Sequence, residues 1–213
     1  MSIVIASIDH NLKGVLMASD NRCLDLDGNF KNDDNIKVFK IRAGVMYSMS
    51  GIASECERLR RLLDASKELP ASKLIKIASE FKDITLNHKD RLIGNTFMLA
   101  GEYDDGQPFC WSKTSYKGAE GNISGYHLGQ SCAKTGNLTL GQPCIMVSAP
   151  KDATVKKVHS IFYDLLNNSN GDYTIAIAKA IKIASKMDSA ISPSLDMLIF
   201  DVEGKKMYET HVN

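Results

Sequence analysis

The chain lacks a long apolar run. Nowhere in its 213 residues does hydrophobic sequence continue for the roughly 20 positions that span a bilayer, so no membrane anchor is expected. Net charge is nearly absent, at +1 with histidine neutral. That gives no basic balance with which nucleic acid or an anionic membrane surface would associate. The five cysteines include no CxxC pair, and no Cys and His residues stand at ligand spacing, so neither a disulfide framework nor a zinc site is expected. No basic stretch precedes the first strand-like residues, so the reading is a cytoplasmic protein with reduced thiols and no secretory signal. The GxSxG of a nucleophile elbow is missing. A P-loop is missing too, so ATP hydrolysis would need another chain. Neither repeats nor low-complexity linkers divide the sequence, and one domain over residues 1–213 is expected.

What is present is a change of hydrophobic period along the chain. Residues 2–8 are rich in Ile and Val, Asp9-His10-Asn11 is a turn, and residues 13–19 return, which predicts a hairpin. Residues 25–35 read as a loop around Gly28. Residues 36–41 and 44–49 read as strands joined at Ala43-Gly44. From Gly51 the period becomes helical, with Ile52, Cys56, Leu59, Leu62 and Leu63 on one face until Pro70. Leu74, Ala78, Phe81 and Ile84 predict a second helix with Ser72 as its N-cap, and His88 at the end of a helix. Residues 95–103 and 109–112 read as strands around Asp104-Asp105-Gly106. Short strands are expected between residues 117 and 131, and at 144–148.

Pro150 and Asp152 begin a third helix, with Val155, Val158, Ile161, Phe162 and Leu165 on one side. A fourth begins at Asp172, with Tyr173, Ala176, Ile177, Ala180, Ile183, Ala184 and Met187 as its stripe. Residues 195–200 and 205–211 form a last hairpin around Glu203-Gly204. Strand blocks alternating with paired helices predict an α+β protein with antiparallel sheets.

Several short blocks carry a resemblance when taken in order. They are Ser2-Ile3-Val4, Ser19-Asp20-Asn21-Arg22, Lys37-Val38, and Ser50-Gly51-Ile52-Ala53-Ser54-Glu55. Together they resemble the proteasome and HslV family of N-terminal-nucleophile (Ntn) hydrolases, in which a threonine usually leads the mature chain. The resemblance implies a four-layer αββα sandwich, two antiparallel sheets between helical layers. It also implies a peptidase of the threonine type that works through an acyl-enzyme, here on Ser2 after removal of Met1.

The chemistry suits those residue types. An alcohol needs a base beside it to attack a carbonyl at neutral pH. A free α-amine, with a pKa of about 8, can be that base. Ser2 with Met1 removed carries both groups. By the resemblance, Lys37 favours the deprotonated hydroxyl and lowers the amine pKa, Asp20 holds Lys37, and the Gly51 amide receives the oxyanion. Asp188, in Met187-Asp188-Ser189-Ala190-Ile191-Ser192, matches the segment that closes around the N-terminus, ahead of Ser192. Met49 lines the pocket for the substrate residue before the cleaved bond and suggests an apolar preference. No cofactor or metal is implied.

One departure stands out. The family carries a central Gly-Ser-Gly whose serine supports the amine, and this chain reads Val147-Ser148-Ala149-Pro150 there. The implied partners are a peptide or polypeptide substrate, a homo-oligomeric ring, and an AAA+ ATPase. Two other readings stay open: a non-catalytic scaffold subunit of the same fold, and a small-amide hydrolase working without a ring.

Overall fold

A computed structural model describes residues 2–9, 14–89, 91–114, 144–148, 152–168 and 171–212. The strands expected between 117 and 131, together with His10 and His127, lie outside the described residues.

Antiparallel pairing builds two main sheets. The first contains β1 (Val4–Asp9), β2 (Gly14–Asp20), β11 (Cys144–Ser148), β12 (Leu195–Asp201) and β13 (Lys206–Val212), in the order β11-β1-β2-β12-β13. The second contains β5 (Val38–Arg42), β6 (Val45–Ser50), β9 (Thr96–Glu102) and β10 (Pro108–Thr114), in the order β10-β9-β6-β5. Neighbours within each run antiparallel.

The period-two alternation of the strands sorts their side chains onto two faces. Val4, Ala6, Ile8, Val15, Met17, Leu198 and Phe200 meet Val38, Met46, Met98, Ala100 and Cys110 of the second sheet. On the opposite face, Ile3, Ile5, Leu16, Ala18, Leu195 and Met197 pack with α3 (Asp152–Asn168) and α4 (Tyr173–Met187). The second sheet turns Val45, Tyr47, Phe97 and Leu99 onto α1 (Ala53–Ala65) and α2 (Ala71–Glu80). This explains why every residue of β2 is buried: a strand covered on both faces reads as a continuous apolar run rather than an alternating one.

The helices follow ordinary local rules. Asp172 caps α4 by accepting from the Ile175 amide at 3.0 Å. The alanines at 176, 180 and 184 are fully buried and let α4 lie close to its neighbours. On α1, Cys56 is buried as expected for a core residue, and burial pushes its thiol up to about 12. The solvent face of α1 carries Glu57–Arg60, Glu57–Arg61 and Arg60–Asp64 pairs one turn apart. Each such pair contributes roughly 0.2–0.5 kcal/mol to a helix. Among the described residues, no helix is long and apolar enough to cross a membrane.

Several expectations require correction. The loop expected over 25–35 contains β4 (Phe30–Asn32), which pairs with β3 (Cys23–Leu24) across an irregular register; its polar side chains hid a short exposed ribbon. The second helix stops at Glu80, so Phe81 leaves the helical conformation and Ile84 is exposed. Pro70, not Ser72, occupies the N-cap position of α2, because Pro fixes its own φ and the helix starts at the next residue. His88 ends a strand, not a helix: β7 (Leu86–His88) pairs with β8 (Arg91–Ile93). Leu62 and Met187 are exposed rather than buried on their helices, while Ile181 is buried. The contact face of α1 is narrower than its apolar stripe, and that of α4 is rotated towards Ile181.

Candidate active site

Antiparallel pairing gathers the site at one end of both sheets. Val4 pairs with Ser19, so the start of β1 lies beside the end of β2. Leu195 pairs with Asp20, which brings the start of β12 to the same place. In the second sheet Val38 pairs with Ser48 and Ser50 with Thr96. Ser2, Asp20, Lys37, Ser50 and Ser192 therefore all lie at strand ends or just beyond them.

Asp20 is fully buried and is the hub. Its Oδ1 accepts the Ile3 amide at 2.8 Å, and its Oδ2 accepts the Arg22 amide at 3.0 Å and the Ser192 amide at 3.1 Å. Three chain segments are thereby tied to one carboxylate. Lys37 Nζ stands 3.7 Å from Oδ1. Its direct hydrogen bonds go to the Asp20 carbonyl at 2.8 Å and the Arg22 carbonyl at 2.5 Å. The ammonium is thus aimed by two backbone oxygens, with the carboxylate supplying charge.

Burial pushes the Asp20 carboxyl up from its ordinary value, and Lys37 and the three amides oppose that. Burial likewise pulls the Lys37 ammonium below the ordinary lysine value, with Asp20 opposing.

Ser2 is buried, and its backbone N–H donates to Ser50 Oγ at 3.0 Å. The following residue is held from the adjacent strand β2, since the Ile3 carbonyl accepts Ser19 Oγ at 2.9 Å. Gly51 follows Ser50 immediately, with φ of +134° at the entrance to α1. The Ile52 amide donates to Asn95 Oδ1 at 2.7 Å, and Asn95 Nδ2 donates to Asp83 Oδ2 at 2.6 Å. This buried amide clamps the turn that presents the Gly51 backbone. Met49 is partly buried against the α1–α2 cluster, and its amide donates to the Lys37 carbonyl at 3.3 Å.

A Cβ on Gly51 would lie 2.5 Å from the Gly94 carbonyl oxygen and 2.6 Å from Asn95 Oδ1. Gly51→Ala must therefore move backbone as well as adopt a φ that side chains disfavour. We expect it to cost about 1–3 kcal/mol or more of stability and to displace the turn. Denaturant melts check this, and a midpoint equal to that of the parent would contradict it.

Asp188 is buried at the C-cap of α4. Its Oδ1 accepts the Ala190 amide at 3.0 Å, and its carbonyl accepts the Ile191 amide at 3.0 Å. Thr154 Oγ1 lies 3.5 Å from Oδ2. Asp188 thus shapes the turn whose end, the Ser192 amide, reaches Asp20. Arg22 braces the same turn: its guanidinium grips Asp33 through two bonds, at 2.9 and 2.8 Å, and donates to the Ser189 carbonyl at 2.7 Å. The Arg22 side-chain hydrogen bond holds the Asp33 carboxyl below the ordinary carboxylate value. The Ser148 side chain lies outside the described residues.

Sequence reasoning missed the parts played by Asn95, Asp33 and the Ser192 backbone. Gly94-Asn95, a turn pair directly before an apolar strand, was a usable signal for the first. Nothing local marks the other two, because their partners lie far away along the chain.

No protein-family model matches the chain, and no curated protein matches it. Among solved structures it is similar to eukaryotic HslV from Trypanosoma brucei, with a TM-score of 0.58 at 12% identity. The match covers 93% of this chain and 99% of that one. At that identity the likeness speaks for architecture, and the conclusion it supports is that this chain has the fold of HslV, a mixed α/β fold with antiparallel sheets.

Proposed function

We propose that the protein is a proteasome-like peptidase of the Ntn class that uses Ser2 as nucleophile. Residues 1–213 then form one domain, with the αββα layering that the three apolar clusters suggest. The observation that carries the reading is the convergence on one strand end of Ser2, the buried Asp20–Lys37 pair and the Ser50-Gly51 turn.

Removal of Met1 converts the Ser2 nitrogen from an amide into an amine. Ser2 Oγ attacks the peptide carbonyl, and its proton passes to the amine, directly or through a water. The C–O bond forms as the carbonyl π pair moves onto oxygen, where the Gly51 amide meets it. Collapse breaks the C–N bond, and the amine returns the proton to the departing amino group. Water then attacks the ester, and the acid and Ser2 are released. Lys37 acts through charge, favouring the alkoxide-like transition state. Asp20 and the carbonyls of residues 20 and 22 position it, and Asp188 shapes the turn that reaches Asp20. Met49 lines an apolar pocket for the residue before the cleaved bond. The chemistry needs no cofactor, because nucleophile and base share one residue. A cytoplasmic homo-oligomeric ring served by an AAA+ ATPase completes the reading. A large mass in solution separates it from a small-amide hydrolase acting without a ring.

The test is the intact mass of the native protein before and after a β-lactone directed at N-terminal nucleophiles. Loss of one methionine with one adduct, mapped to Ser2, is expected. A chain trimmed to Ser2 that takes no adduct and cleaves no peptide would overturn the reading. It would favour the scaffold subunit, a role to which the Val147-Ser148-Ala149-Pro150 departure also points.

A further inference from the structure

Resting on the peptidase reading, we infer that Ser50 is a positioning residue for the Ser2 amine: its hydroxyl fixes the direction and basicity of the nitrogen that serves as the base. The geometry is specific. Ser50 Oγ accepts the Ser2 N–H at 3.0 Å across 48 residues of sequence, and the same hydroxyl stands 3.5 Å from the Ser2 carbonyl oxygen. One side chain thus spans both backbone groups of Ser2. A hydroxyl can accept and donate at once, which few other side chains of this size can do.

Ser50 is itself held firmly. It is the last residue of β6, paired with Thr96 of β9. The turn after it is clamped by the Ile52 amide on Asn95. On the other side of Ser2, the Ile3 amide and carbonyl are fixed by Asp20 and Ser19. Once Met1 is gone, the bond between the Ser2 nitrogen and its Cα becomes free to rotate. An amine free to rotate about that bond presents its lone pair to the Ser2 hydroxyl only part of the time. An amine with one N–H held by Ser50 keeps a fixed direction.

The contact also has a sign. An ammonium donates to Ser50 Oγ more strongly than a neutral amine does, so the hydroxyl favours the protonated form and raises the amine pKa. That opposes the nearby charge of Lys37, which lowers it. Placing Ser50 immediately before Gly51 couples the base to the oxyanion donor through one peptide unit. The assignment also gives this chain an amine-supporting hydroxyl although residues 147–150 read Val-Ser-Ala-Pro.

The experiment compares the parent, Ser50→Ala and Ser50→Thr. Each is released from an N-terminal fusion so that Ser2 leads the chain, and each is checked by intact mass. Rates of β-lactone adduct formation and of peptide cleavage are measured across pH. Ser50→Ala is expected to lose about tenfold or more in kcat with little change in KM. Its acid limb should move to lower pH, because the amine becomes less basic. Ser50→Thr keeps the hydroxyl and should recover most of the rate and the parental limb. A Ser50→Ala protein with parental kcat and an unmoved acid limb overturns the inference and leaves the peptidase reading intact. So does equal impairment of Ser50→Ala and Ser50→Thr, since the hydroxyl is then not what matters. A parent that takes no adduct overturns both.

Discussion

Alanine in place of Ser2 is expected to abolish both adduct formation and peptide cleavage while leaving the fold intact. Loss of a nucleophile of this kind removes at least about 10⁴-fold of the rate. The fold should survive because the hydrogen bonds of Ser2 to the described residues run through its backbone. The N–H to Ser50 is main chain, and the neighbouring anchor to Asp20 is the Ile3 amide. Alanine keeps both. It is also small enough to suit removal of Met1, so the amine would still be exposed. Ser2→Thr should keep the adduct and cleave at least as fast, because a β-branched side chain holds its hydroxyl in fewer rotamers. Cleavage by a pure Ser2→Ala preparation would sink the nucleophile assignment, and a collapsed melt would show that Ser2 is structural instead.

Lys37→Met should strike both activity and stability. Lys37 is 5% exposed and lies against a fully buried carboxylate. Removing one partner of a buried ion pair typically costs about 3–5 kcal/mol, because the other charge stays behind without compensation. The carbonyls of Asp20 and Arg22 would lose their donor as well. Asp20→Asn added to Lys37→Met should recover part of that stability because no charge is stranded; the asparagine oxygen keeps the Arg22 and Ser192 amides, while its Nδ2 turns a donor towards the Ile3 amide and caps the recovery. Neither variant should recover turnover. If the double variant is no more stable than Lys37→Met alone, the electrostatic account of the pair fails.

The pH dependence of this loss has a definite sign. Lys37 lowers the Asp20 pKa against the raising effect of burial. With Lys37 gone, the folded-state value rises further above the unfolded value. A carboxyl whose folded pKa is raised contributes stability below the unfolded pKa and loses it as pH rises through the folded one. The deficit of Lys37→Met relative to the parent should therefore shrink as pH falls towards 3.8, the ordinary value for the group. Chemical melts along a pH series measure it, and a deficit that grows on acidification would contradict it.

The first of these outcomes bears on chemistry and the second on chemistry and architecture together, and the two draw on different sources. The sequence alone determined the order of the main strand blocks and paired helices among the described residues, because hydrophobic period is a local property. The Ile and Val run of residues 3–8, the alanine stripe of α4 and the Asp104-Asp105-Gly106 turn each announce themselves within a few residues. It also singled out Ser2, Asp20, Lys37 and Gly51, since the spacing of those residue types carries a resemblance. It failed where a local pattern was ambiguous: the short ribbon of β3 and β4 at the polar loop, the early stop of α2 before Phe81, and the exposure of Leu62 and Met187.

Tertiary structure decided how the site is held. Lys37 is aimed by carbonyls of residues 20 and 22, Asp20 receives an amide from residue 192, and Ser50 meets Ser2 across 48 positions. Those bonds depend on strand register and on the packing of two sheets. No window of sequence contains both of their ends, so only the folded chain could decide them.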